Sequence, residues 1–410
     1  MNRRALTAEL LNMIASEVTS SQDLLNLRAA NTALHGIVTP RAFRHVRVTN
    51  SKQSADAFAG ILRSKSLVRN IQQVVLQDKD ADDDGTKRGT QDDGHSAGSV
   101  DGATSSADSE PVTVDRYEGA VDETINALRA AFAMLSNLPN LRTLRLIFCP
   151  TLPNDWDSDF IPELEEQPDE FRLQLAVLEA VAEHSDRLSL RSLSIINVFA
   201  FHNELFERPS FAALFKSVTA LRVDGVSDTI SVCACFSVPF CQFWGDTLPQ
   251  CFLQPVNASG LESLTLTSDQ DMAAPPDSAL TEVHFPALKS LSLTNFLFCD
   301  LSFRIEEFLL RHKDSLEYLE LRGSKIVLPD WADEPTELWA QKWSRFSTEF
   351  ASLKDLVVED TEFDESRPLR YAKLDPEYGW MPEFMEMPGE EQDNGALEAW
   401  RAVVAARRAK

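Results

Sequence analysis

Seven copies of the signature L-x-x-L-x-L follow residue 140, and this repetition constrains the fold more than any other property of the chain. They are Leu141-Leu144-Leu146, Leu190-Leu193-Ile195, Val218-Leu221-Val223, Leu261-Leu264-Leu266, Leu288-Leu291-Leu293, Leu316-Leu319-Leu321 and Leu353-Leu356-Val358. A weaker copy, Ile71-Val74-Leu76, lies upstream. Successive copies begin 49, 28, 43, 27, 28 and 37 residues apart, so three intervals have the length of one repeat and three read as a repeat carrying an insertion. In a strand, positions 4 and 6 point to one side. Each copy therefore presents a short apolar ledge that is buried only when neighbouring copies stack on it.

Intervals near 28 residues are those of leucine-rich repeats. The expected fold class is α/β: an irregular leucine-rich-repeat solenoid with a parallel concave sheet and convex helices. Val121, Ile125, Leu128, Phe132 and Leu135 form one helical stripe, as do Ile305, Phe308 and Leu309, and Trp339, Trp343, Phe346 and Phe350. These stripes are expected in the convex core. Recognition is then expected beside the strand leucines, at Arg142, Arg145, Arg222, Asp224, Lys289, Glu320 and Arg322, with Glu359 and Asp360. Insertions are the second candidate surface: residues 149–170 with Trp156 and Phe160, residues 226–257, and the loop around Pro275 and Pro276.

Composition narrows the partners. The 410 residues carry 39 basic and 64 acidic side chains, a formal charge of −25, which argues against nucleic acid or an anionic membrane as ligand. Glu9 and Glu17 interrupt any secretory apolar core, and no apolar run reaches membrane-spanning length, so a cytoplasmic or nuclear protein is expected. Cys233, Cys235, Cys241 and Cys251 cluster without a C-x-x-C pair among Phe236, Phe240, Phe243 and Trp244, and are read as buried thiols rather than a metal site. Cys149 and Cys299, each just past a strand, are expected in the core.

Residues 1–48 are predicted to form a helical unit. Leu6, Leu10, Ile14 and Val18 recur every fourth residue with Leu11 beside them, Ser20 to Asp23 supply a turn and cap, and Leu24, Leu25 and Leu27 follow. A third segment carrying Leu34, Ile37 and Val38 is expected to stop at Thr39 and Pro40. The run from Leu6 to Ile14, the run from Asp23 to Asn31 and the phrase from Ala42 to Val46 resemble an F-box, particularly the fungal form, with Thr7 where many members have proline and Leu34 near the usual tryptophan. Followed by irregular leucine-rich repeats, the unit resembles the architecture of F-box/leucine-rich-repeat proteins. That resemblance implies a substrate-recognition subunit of a cullin-RING (SCF-type) ubiquitin ligase. Its helices would dock on a Skp-type adaptor through Leu6, Thr7, Leu10, Leu11, Ile14, Leu24, Leu25 and Leu27, and its repeats would hold a target protein. The alternative is a leucine-rich-repeat scaffold whose helices merely cap the array.

The remaining segments are residues 49–76, a connection and first degenerate repeat; 77–115, an acidic insertion; 116–365, the repeats; and 366–410, a capping tail with a helix expected from about Gly395 to Lys410. The insertion holds eleven acidic and three basic residues and almost no large apolar side chain, which predicts disorder. Its Asp80 to Gly85 run imitates an EF-hand loop but places Gln91 at position 12, so no calcium is expected. Ser105, Ser106 and Ser109 beside acids read as phosphorylation sites. Seven scattered histidines show no ligand spacing, and neither a nucleophile elbow nor a phosphate loop is present, so no enzymatic role and no cofactor are expected.

Overall fold

The computed structural model describes residues 8–78, 115–150, 167–227, 238–257, 260–272, 280, 283–298, 305–328, 337–364, 367–375, 379–382 and 389–409. The protein is α/β, with one large, mainly parallel sheet. Three helices open it: α1 (Ala8–Glu17), α2 (Ser21–Ala30) and α3 (Thr32–Ala42). The Ser20 hydroxyl accepts from the Asp23 amide at 3.3 Å and the Asn31 side chain from the Ala33 amide at 2.7 Å, so α2 and α3 each start on a side-chain cap. Contrary to expectation, α3 runs through Pro40. The proline costs one bond in the last turn, while the residues beyond it tie the unit together. Arg41 donates to the carbonyls of Ala15, Ser16 and Val18 at the end of α1. Val38 and Ala42 share a small core with Ala15 and Leu24, distinct from the core that follows.

The sheet begins inside the first forty-eight residues, at β1 (His45–Thr49), and continues with β2 (Gln73–Gln77), β3 (Thr143–Ile147), β4 (Ser192–Phe199), β5 (Ala220–Val226), β6 (Ser263–Met272) and β7 (Ser290–Phe298). All pair in parallel. Each copy of the signature meets the next in register: Val46, Val74, Leu144, Leu193, Leu221, Leu264 and Leu291 form one row, and Val48, Leu76, Leu146, Ile195, Val223, Leu266 and Leu293 another. Both rows are buried. A side chain of this size contributes about 1.5–3 kcal/mol on burial, so in-register stacking is what the repetition selects.

After β7 the sheet forks. Its first half pairs with β8 (Tyr318–Arg322), and Leu297–Phe298 pair with β9 (Lys325–Leu328). From β8 the sheet continues to β10 (Asp355–Glu359); a separate antiparallel pair, β11 (Thr361–Asp364) and β12 (Arg367–Leu369), follows in sequence. From β9 it continues to β13 (Tyr371–Asp375) and the antiparallel β14 (Gly379–Pro382), so strands extend beyond residue 365. The fork opens at the second residue after the inner row. There Asn197 (φ 59°), Asn295 (φ 62°) and Gly323 (φ 59°) all adopt the left-handed conformation. Asn197 donates to the Phe148 carbonyl and Asn295 to the Ser268 carbonyl, each at 2.8 Å, so the turn is bonded to the preceding unit.

Helices cover the leucine side: α4 (Lys52–Arg63), α5 (Asp115–Phe132), α6 (Asp169–Glu183), α7 (Glu204–Glu207), α8 (Pro209–Ala213), α9 (Val238–Gln242), α10 (Gln254–Asn257), α11 (Ile305–Arg311), α12 (Trp339–Glu349) and α13 (Glu390–Arg408). The predicted stripes lie in this core, among them Leu128 and Phe132 of α5, Phe308 of α11, and Trp339, Trp343 and Phe346 of α12. Helix α13 starts five residues before Gly395, at a turn rich in Glu390, Glu391 and Asp393 that favours a helix N-terminus. It closes the last repeat: Trp400 stacks on Trp343 with centroids 5.5 Å apart, and Arg407 donates to the Phe350 and Ser347 carbonyls.

Candidate functional site

Two surfaces carry side chains placed for binding. The first is on α1 and α2. Leu24 lines the small core and Leu11 and Leu27 are half-buried, whereas Leu10, Ile14 and Leu25 remain 46%, 48% and 36% exposed. Met13, which the four-residue spacing missed, is 65% exposed. Leu10, Met13 and Ile14 fall at i, i+3 and i+4, which places them on one helix face. Leu6 and Thr7 lie outside the described residues. Burying the unit against the array would have hidden this face. Instead, among the described residues, the helical unit meets the next segment through α3, near the turn Val68–Asn70, and through Arg44, whose Nε donates to Gln72 at 2.9 Å and whose carbonyl accepts from the Gln72 and Gln73 amides.

The second surface is the sheet face opposite the leucine rows. Parallel register turns the expected positions into rows. The middle row reads Arg47, Val75, Arg145, Ser194, Arg222, Thr265, Ser292, Glu320 and Val357 from β1 to β10. Arg142 and Lys289 do not lie on the face. They precede their strands and belong to a rim where each amide donates to the carbonyl one unit back: Arg142 to Gln72, Arg191 to Arg142, Thr219 to Arg191, Glu262 to Thr219 and Lys289 to Glu262. Lys289 pairs there with Glu262 at 3.3 Å, both half-exposed, and such a pair contributes little.

Charge is unevenly distributed along this face. At the β1–β5 end stand Arg47, Arg145 and Arg222, and the rim adds Arg44, Arg142 and Arg191. Arg222 chelates Asp224 two residues on, with Nη2 to Oδ2 at 2.5 Å. Val75, Ile147 and Ile196 pack together on the same side. The centre is a belt of hydroxyls, Ser263, Thr265 and Thr267 beside Ser290, Ser292 and Thr294. The far end is self-neutralised: Arg322 pairs with Glu320 at 2.5 Å and with Glu359, and Tyr318 donates to Glu320 at 3.1 Å. Burial tends to raise the Glu320 carboxyl, but hydrogen bonds from Ser292 and Arg322 outweigh it and hold the group below its ordinary range. No family model and no curated protein matches the chain.

Within the insertion at residues 226–257, the described part from Val238 onward leaves Val238 exposed and turns most of its aromatic side chains inward. Residues Phe243–Leu253 form wide π-type turns that bury Phe243, Trp244 and Phe252 against Phe206, Phe211 and Phe296. Phe240, Phe243 and Trp244, the apolar neighbours of the cysteines, are core. Burial pushes the Cys241 thiol up and, with help from Glu207, the Cys251 thiol up to about 11, which suits neither a thiolate nucleophile nor a metal ligand. Cys149 is buried and reduced. Among the described residues no group of three metal-ligating side chains is present, and no helix is long and apolar enough to cross a membrane. Cys233, Cys235, Cys299, Trp156, Phe160, Pro275, Pro276, the Asp80–Gly85 run and Ser105, Ser106 and Ser109 lie outside the described residues.

Proposed function

We propose that this chain is a substrate receptor of a cullin-RING (SCF-type) ubiquitin ligase, an F-box unit joined to irregular leucine-rich repeats. One observation carries the reading: Leu10, Met13, Ile14 and Leu25 stay exposed on a helical unit that already has its own core. An apolar patch kept on a small independently packed unit is the mark of a docking face. In this reading the face takes a Skp-type adaptor, with Leu11, Leu24 and Leu27 supporting it from beneath. The sheet face holds the target, and the chemistry belongs to the partner subunits. The receptor contributes by keeping a target lysine near the ubiquitin thioester, which is catalysis through effective concentration. A scaffold with a capping helical unit would have no use for the exposed face.

The test is co-elution of the purified chain with a purified Skp-type adaptor, beside a Leu10→Asp, Ile14→Asp variant whose unfolding midpoint is unchanged. Co-elution of the native chain alone supports the receptor. Failure of the folded native chain to bind favours the scaffold.

A further inference from the structure

We propose that the rim at which strands β2 to β5 begin is a docking surface for an anionic phospholipid membrane. The loops that enter these strands, residues 63–72, 133–142, 184–191 and 214–219, hold seven bases and one acid, Asp186. All seven basic side chains are exposed, and among the described residues none of them is held by a hydrogen bond or an ion pair. The loops are fixed to one another: Asn140 donates to the Arg69 carbonyl at 2.6 Å, Ser217 to the Leu190 carbonyl at 3.0 Å, and the Arg191 amide to the Arg142 carbonyl at 2.7 Å. Further along the same rim the bases are neutralised, Lys289 by Glu262, Lys354 by Glu317 and Lys313 by Glu349. Helix C-termini favour nearby cations, which accounts for Arg63 and Lys65 at the end of α4 and for Arg187 beyond α6. It does not account for Arg142 and Arg191, whose backbones stand side by side in the ladder, about 4.8 Å apart, with no acid between them. Like charges so placed are destabilising until an anion offsets them.

The fold makes an acidic chain compatible with such a surface. Described acids gather at the opposite rim, where strands end and helices begin: Asp78 follows β2, and Glu170, Glu204 and Glu307 lie in the first turns of α6, α7 and α11. Strands of five residues, as in β2 and β3, separate the two rims by about 17 Å. That is about twice the screening length of about 8 Å at physiological salt, so the opposite rim repels a membrane laid against the basic rim only weakly. The formal charge of −25 opposes a membrane only when it is averaged over the whole surface. The bases are spread over four successive loops and two depths, with Arg142 and Arg191 at the strands and Arg63, Lys65 and Arg69 towards α4. An extended plane of charge meets such an arrangement better than a single strand does. The exposed residues of these loops include no Phe, Tyr or Trp on which nucleic-acid bases could stack. Each base near an anionic leaflet contributes about fivefold in affinity, and clusters of about four to eight are the usual complement. Vesicle binding is measured on the chain alone, so its outcome is independent of adaptor binding.

The experiment is co-sedimentation of the full chain with vesicles of equal parts phosphatidylcholine and phosphatidylserine, beside vesicles of pure phosphatidylcholine, at physiological and at raised salt. The chain is expected to pellet with the mixed vesicles alone and to be released by salt. Arg142→Ala with Arg191→Ala, and Lys65→Ala with Arg69→Ala, should each weaken binding at least about tenfold at an unchanged unfolding midpoint. Lys52→Ala with Arg172→Ala, at the opposite rim, should leave binding as it is. Soluble glycerophosphoserine at the same phosphate concentration carries the headgroup without the surface and should not compete. Equal pelleting with pure phosphatidylcholine, absence from the mixed vesicles, indifference to both rim pairs, or competition by the free headgroup would overturn the proposal. Tighter binding to polyglutamate or to double-stranded RNA than to the mixed vesicles would assign the rim to an acidic protein or to nucleic acid and overturn it as well.

Discussion

Tyr371 and Asp393 bind each other through the capped end of the array. The tyrosine hydroxyl donates to Asp393 Oδ2 at 2.7 Å and accepts from the Trp339 amide at 3.0 Å, while Asp393 Oδ1 accepts from the Ala340 amide at 2.7 Å. Two side chains from the final 40 residues thereby satisfy the first amides of α12. The tail is a structural part of the array, tying α13 to the last repeat. Tyr371→Phe leaves the Trp339 amide unsatisfied and Asp393→Ala strands the Ala340 amide, so each should cost about 1–3 kcal/mol. Chemical denaturation of both single variants and the double variant should give a combined loss smaller than the sum, because the residues share a network.

The left-handed asparagines separate two effects. Asn295→Gly keeps the φ of 62° without strain and loses the bond to the Ser268 carbonyl, for an expected cost of about 1 kcal/mol. Asn295→Ala loses the bond and adds about 1–2 kcal/mol of backbone strain. Equal unfolding midpoints for the two variants would remove the strain from this account.

Gly225 is required for a different reason. A Cβ there would stand 2.6 Å from Trp244 Cζ2, within the buried aromatic cluster. Gly225→Ala should destabilise the chain by about 1–3 kcal/mol through overpacking. The loss should shrink when Trp244→Leu is added, as unfolding curves of the pair would show.

His312 sets an acid limit on stability. Its Nε2 accepts from the Phe285 amide at 2.9 Å, which leaves Nδ1 to donate to the Phe308 carbonyl at 2.8 Å, an arrangement only the neutral ring can make. Burial lowers its pKa from 6.5 to about 4, aided by nearby His284 and Arg311 and opposed by the Phe308 bond. Between these values the unfolded chain binds more protons than the folded one. The stabilisation is therefore complete above 6.5 and is lost as the pH falls towards 4, by up to about 3 kcal/mol. His312→Gln should remove that slope from the difference between unfolding free energies at pH 7 and pH 4.

The rows of the sheet were legible because each leucine has to stack on its neighbour, and a repeated ledge offers no other register. The helical stripes were legible for the same reason at helical period. What escaped was set by contacts between distant segments. Pro40 ended a helix on local grounds, but Arg41 carries α3 past it by gripping α1. The insertion at residues 226–257 was legible as apolar, but not that Trp244 packs on Phe296 and Phe252 on Phe206 and Phe211. Arg142 and Lys289 were placed on the binding face because the signature does not mark where the strand begins. The left-handed turns at Asn197, Asn295 and Gly323, two residues after the inner row, went unread in the sequence because the signature ends before them. On the helical unit, spacing found Leu10 and Ile14 but could not tell an exposed leucine from the buried Leu24.

The most direct measurement is amide hydrogen exchange of the intact chain with and without a Skp-type adaptor. The receptor account predicts slowed exchange confined to α1 and α2, around Leu10, Met13, Ile14 and Leu25, with the sheet unchanged. Protection that appears only in the sheet, or nowhere in a mixture at micromolar concentration, would contradict it.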